Sequence, residues 1–161
     1  MPITKVQNVP LVAQRGDGVC WFASALMLYK WAQATGHTTM KDPMADSGMK
    51  MRWDNNLDWG SGHNAFLATT LAMKTHASIP TEYQGLNTFF QSHGPIWAAG
   101  QKTWGGADHG HVVVICGVAD TGVFIHDPEP VNQGVSLWLT WSQLKKYTDG
   151  ASATVQFLTA T

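Results

Sequence analysis

The sequence predicts an α+β domain, with helices in its N-terminal half and a mainly antiparallel β-sheet in its C-terminal half. Three observations carry that expectation. A helix-period apolar pattern covers residues 19–35, further helical patterns follow up to residue 93, and beyond Gly94-Pro95 the chain breaks into short β-rich runs separated by Gly, Asp, Asn or Pro. A chain of 161 residues, 44% hydrophobic and 11% aromatic, suits one compact domain over residues 1–161 with a core of its own.

After Asp17-Gly18, residues 19–35 contain no proline. Phe22, Ala25, Leu26, Tyr29 and Ala32 or Gln33 recur at spacings of three and four, and Gly36 is placed to stop the helix. Residues 37–61 mix Asp, Asn, Gly, Met and Trp without a sustained period, which reads as a long connection with a short helical turn; such connections are often functional. Residues 62–76 predict a second helix, with Phe66, Thr70 and Met73 along one side and Leu67 and Leu71 beside them. A third, over 84–93, ends at Gly94-Pro95, a pair that cannot continue a helix. IWAAG, HVVVICGV, VFIHD, VSLWLTW and ATVQFL are then the strands, with Asp120-Thr-Gly122 as a tight hairpin connection. Strand alternation puts His111, Val113 and Ile115 on one face and Val112, Val114 and Cys116 on the other, so Cys116 reads as a packing residue.

Composition excludes several function classes. With a formal charge of -1 and 13% charged residues, no broad cationic surface is available for a phosphate backbone, so nucleic acid is not the expected partner. No apolar run reaches the roughly 20 residues that span a bilayer, and Met1–Lys5 lacks the basic-then-apolar layout of a secretory signal. The expectation is a soluble chain of a reducing cytoplasm, with no membrane partner. Two cysteines, Cys20 and Cys116, cannot build a disulfide framework, and pairing between them is not expected. Eight tryptophans are many for this length; Trp53, Trp59, Trp97 and Trp104 sit beside glycine or polar residues and serve either as packing or as walls of a substrate groove.

The chemistry concentrates at Gln14-Arg-Gly-Asp-Gly-Val-Cys20-Trp21, where a glycine-rich loop enters the first helix. A thiol becomes a good nucleophile as thiolate, and the free amides and macrodipole of a helix N-terminus favour that negative charge. An imidazole completes the activation and a third polar group orients the ring. His111 opens one strand and Asp127 closes the next, so a hairpin at 120–122 brings base and orienter together. Asp127 also precedes Pro128, and an Asp-Pro pair commonly starts a turn. Asp108, His109, His111 and His126 offer zinc-type ligands, but their spacing lacks a second cysteine or histidine pair, so neither a metal nor any other cofactor is expected.

These residues resemble the papain-like cysteine peptidase superfamily, most closely small bacterial members such as bacteriocin-leader-processing peptidases and papain-like effector domains. The matching positions are Gln14, Cys20-Trp21 at the head of the long helix, His111 before an apolar strand ending at Gly117, and Asp127. The resemblance implies a papain-like fold, the nucleophile helix packed on the sheet, and a Cys20, His111, Asp127 triad that cleaves peptide bonds through an acyl-thioester. It gives Gln14, six positions before Cys20, to the oxyanion hole beside the Cys20 amide. Trp21, Trp104 and His109 are the candidates for the substrate groove, expected where the Cys20 helix meets the His111 strand.

The chain departs from the plant and lysosomal pattern in having Asp17-Gly18-Val19 before the cysteine and Asp127 in place of asparagine. Its Cys20-to-His111 spacing is also well below the roughly 130–150 residues of the larger enzymes, implying a trimmed domain. No long inhibitory pro-segment precedes Gln14, so restraint is expected from outside, for instance from a cognate inhibitor covering the cleft. The partner implied is a protein or peptide substrate. Glutamine deamidases, transglutaminases and peptidoglycan amidases share the same order of Cys, His and Asp, and an inactive peptide-binding module is a further alternative.

Overall fold

In a computed structural model, described for residues 4–5 and 8–161, the chain is an α+β fold. Its strands are β1 (Thr4–Lys5), β2 (Lys74–His76), β3 (Ile96–Lys102), β4 (His109–Ala119), β5 (Gly122–Asp127), β6 (Val135–Thr140) and β7 (Phe157–Thr159). They form one sheet in the order β2-β7-β3-β4-β5-β6, with β1 also paired to β4, and every pairing is antiparallel. The helices are α1 (Cys20–Ala34), α2 (Ser47–Asp54), α3 (Asn64–Leu71), α4 (Tyr83–His93) and α5 (Trp141–Asp149). No helix among the described residues is long and apolar enough to cross a membrane.

The core divides by strand alternation. Val112, Val114 and Cys116 pack with Trp21, Phe22, Leu28 and Trp31 of α1, whereas Val113 and Ile115 pack with Leu86 and Phe90 of α4 and Leu144 and Tyr147 of α5. Helices therefore cover both faces of the sheet. Helix α1 is buried almost all round, and full burial of side chains such as Phe22, Met27 and Leu28 contributes about 1.5–3 kcal/mol each.

Several elements differ from the sequence expectation: strand β1 is not among the expected strands, and the strand expected over 153–158 forms at Phe157–Thr159. The helix expected over 62–76 stops at Leu71, because Ala72 adopts a left-handed cap (φ 54°) and Lys74–His76 pairs with β7. The connection over 37–61 holds an eight-residue helix, α2, whose N-terminus Asp46 caps by accepting from the Met49 amide at 2.9 Å. The VSLWLTW run ends as a strand at Thr140, where a Thr140–Gln143 capping box starts α5.

One irregularity decides which side chains share a face. Ile115 pairs with Ile125 but Gly117 with Phe124, so Cys116 is the extra residue of a β-bulge. A one-residue offset exchanges the faces of every residue beyond it. With the bulge, Val123 and Ile125 join Val118, Ile115 and Val113 in the same cluster, and Asp127 falls on the face that carries His111.

Candidate active site

Cys20 is the first residue of α1. No side chain caps this helix at Val19, so the first-turn amides are not consumed by a neighbouring oxygen. The loop before it is braced from the 55–58 segment. The Asn56 side-chain oxygen accepts from the Gly18 amide at 2.8 Å, and the Trp21 indole donates to the carbonyls of Gly18 (3.0 Å) and Leu57 (3.3 Å). A Cβ on Gly16 would lie 2.3 Å from the Asn56 side chain and one on Gly18 2.9 Å from the Asn56 carbonyl oxygen, which explains the glycines of this loop.

His111 is 5% exposed and Asp127 fully buried. The imidazole Nε2 donates to Asp127 Oδ1 at 2.6 Å, which leaves Nδ1 as the ring atom free to meet a thiol. Burial opposes a charge on this ring. The hydrogen bonds and charges of Asp127 and Cys20 outweigh that cost and raise the His111 pKa to about 9. Asp127 responds in the opposite sense: burial would raise it, but His111, Lys102 and the Glu129 amide hold it down at about 2. The Tyr147 hydroxyl, itself fully buried, reaches the carbonyls of Ala98 (2.7 Å) and His111 (2.8 Å) and so fixes the backbone beneath the imidazole.

The carboxylate of Asp127 is saturated with donors. Oδ1 also accepts from the Glu129 amide at 2.9 Å, while Oδ2 accepts from the Trp104 indole at 2.9 Å and lies 2.8 Å from the Lys102 ammonium. Asp127 thus starts a turn and holds the histidine at once.

A cleft of about 280 Å³ is lined by Cys20, Trp21, Asp58, Trp59, Asn64 and His111, with small residues along Ala99–Gly100 and Gly150–Ala153. It lies where α1 meets β4. Trp104 and His109, expected in the groove, are not in its lining: Trp104 is drawn to Asp127, and His109 Nε2 lies 3.4 Å from Glu129. His126 faces away, buried between the Val9 carbonyl (2.9 Å) and the Ser136 hydroxyl (2.7 Å), and burial lowers its pKa.

Gln14 is fully buried outside the cleft lining, and both polar atoms of its side chain lack a hydrogen-bond partner. Its backbone is stitched to the segment after Asp127, with its amide on the Pro128 carbonyl (2.9 Å) and its carbonyl on the Asn132 amide (2.8 Å). Cys116 is 2% exposed on the opposite face from His111, and burial pushes its thiol up to about 12. Both cysteines are free thiols.

Sequence reasoning missed Lys102, Glu129, Tyr147 and Asn56, whose roles exist only through contacts distant in the chain. The one signal was a lysine ending an apolar run, Ile96–Lys102. His109, His111 and Glu129 offer ligand atoms within 4.8 Å of one another, but the Lys102 ammonium already occupies Glu129 at 2.7 Å, an arrangement that disfavours a second cation there.

Comparison with known proteins agrees with the geometry. A family model described as papain-like cysteine protease AvrRpt2 matches residues 3–144. The fold is similar to that of a crystal structure described as a C39-like peptidase from Bacillus anthracis, with a TM-score of 0.56 and 15% sequence identity over 99% of this chain and 97% of that one. No curated protein matches.

Proposed function

The chain belongs to the papain-like cysteine protease AvrRpt2 family and is a cysteine peptidase, and from that premise we propose that Cys20, His111 and Asp127 are its catalytic triad. The observation that carries the reading is the 2.6 Å bond from His111 Nε2 to Asp127 Oδ1, which orients the ring and leaves Nδ1 as the nitrogen for Cys20 in the proposed triad. The uncapped helix end beneath Cys20 favours negative charge on the sulfur.

In the proposed reaction the sulfur adds to the scissile carbonyl and the imidazolium gives its proton to the leaving amine, so that the C–N bond breaks and an acyl-thioester remains. Water, deprotonated by His111, then cleaves the thioester and restores the thiol. The Cys20 amide and the Gln14 side chain are the proposed donors to the oxyanion. A buried amide without a partner costs about 1–3 kcal/mol, so its retention fits a group kept for an acceptor that arrives with substrate. Since Gln14 lies outside the cleft lining, substrate entry must uncover it.

Incubation with a protein mixture followed by mass spectrometry tests the activity. New termini that vanish with Cys20→Ala support hydrolysis of peptide bonds; glutamines gaining 1 Da without cleavage would replace this reading by deamidation. The proposal extends to a role as a delivered effector restrained by a cognate inhibitor over the cleft. Growth arrest on expression inside a target cell, abolished by Cys20→Ala, is its test.

A further inference from the structure

Resting on the triad reading above, we propose that Lys102 is a positioning residue of this centre: its ammonium clamps the oxygen of Asp127 that does not face His111 and balances the two carboxylates gathered against the imidazole.

Lys102 ends β3, two residues beyond Gly100, the residue paired with His111 across the ladder. Its side chain is only 10% exposed, a costly place for an ammonium unless carboxylates hold it. Nζ lies 2.8 Å from Asp127 Oδ2 and 2.7 Å from Glu129 Oε1, and 5.6 Å from the centre of the Trp104 ring beneath it. The Trp104 indole and the Glu129 amide also hold Asp127, but they are neutral donors. Among the described residues, Lys102 is the one partner of Asp127, other than the imidazolium, that brings positive charge.

The charge count gives this a consequence. Asp127 and Glu129 lie 2.6 and 3.7 Å from His111 Nε2, so the imidazolium and the ammonium face two carboxylates in a neutral quartet. The other titratable groups around it are Cys20 at the head of α1, His109 on β4 and Tyr147 on α5. Without Lys102 the quartet is one unit more negative, and both the imidazolium and the thiol hold their protons to higher pH. Lys102 thereby keeps the reactive ion pair within a lower pH range, while its hydrogen bond keeps Oδ1 aimed at the ring. Burial disfavours the ammonium, but the two carboxylates outweigh it and raise the Lys102 pKa, so the charge is present throughout that range.

The test is the pH dependence of Cys20 alkylation by iodoacetamide, read by peptide mass mapping, which separates Cys20 from Cys116, with near-UV circular dichroism as a check of fold. Lys102→Met and Lys102→Gln, which remove the charge, are expected to move the midpoint up by about one pH unit, and Lys102→Arg to leave it in place. In Glu129→Gln, on a partly exposed side chain, the ammonium is less balanced and the midpoint moves down. Folded charge-free variants with the wild-type midpoint overturn the proposal. If neither charge-free variant folds, an unmoved Glu129→Gln midpoint overturns it. His111→Ala separates the two levels: a profile identical to wild type would end the triad reading, whereas a moved profile with unmoved Lys102 variants would end this inference alone.

Discussion

The two cysteines occupy opposite extremes of one molecule. Cys20 heads an uncapped helix, half-buried, at the edge of a cleft that also touches a charged imidazole; Cys116 sits in the bulge of β4, 2% exposed, its thiol pushed up to about 12 by burial. Strand β4 spans both environments, since its His109–His111 end meets carboxylates while its Cys116 end meets α1. The same side chain is proposed as the reagent in one place and is a small apolar filler in the other, because surroundings and not residue type decide thiol chemistry.

That contrast is sharpest in turnover. Cys20→Ala is expected to reduce peptide hydrolysis to background, while Cys116→Val leaves it near wild type; equal losses in a mass-spectrometric cleavage assay would erase the distinction. His111→Ala is expected to cost on the order of 10²–10⁴-fold in kcat/KM. Labelling provides a further separation. In the native protein at neutral pH, iodoacetamide should modify Cys20 only, and Cys116 should react only after denaturation.

Stability should follow pH through the same histidine. The folded His111 value of about 9 lies above the ordinary 6.5, so its stabilisation is complete below pH 6.5 and is lost as pH rises through 9. The folded Asp127 value of about 2 lies below 3.8, so its share is present above pH 3.8 and lost as pH falls through 2. Between pH 6.5 and 9 a Tm profile should therefore decline in wild type and lose that decline in His111→Ala, whereas Cys116→Val should keep it, since the buried Cys116 thiol adds its own decline only above pH 9. The smallest effect is expected at the brace of the loop before Cys20. Asn56→Ala removes the bond to the Gly18 amide and should lower unfolding free energy by about 1 kcal/mol, measured by denaturant titration.

Much of this layout was legible in the sequence, and the failures share a cause. Helix α1 matches the expected span to within a residue at each end, because its apolar period and flanking glycines are local signals. The hairpin at 120–122 joins β4 to β5, and His111 reaches Asp127 across it. Lys74–His76 read as helix because its partner, β7, lies more than 80 residues away in the chain. Helix α5 was hidden by the apolar run ahead of it, although its Thr140–Gln143 capping box is visible in the sequence. The bulge at Cys116 left no local mark, yet it decides whether Asp127 shares a face with His111. Lys102 and Glu129 carry no signature of their own; only the folded sheet brings them to Asp127.

The central claim is that folding couples the Cys20 sulfur to the His111 ring. An NMR titration of the His111 imidazole in wild type and in Cys20→Ala tests it most directly. The account predicts deprotonation near pH 9 in wild type and at distinctly lower pH in the variant, because the thiol supplies part of what holds the proton. Superimposable titration curves would contradict it.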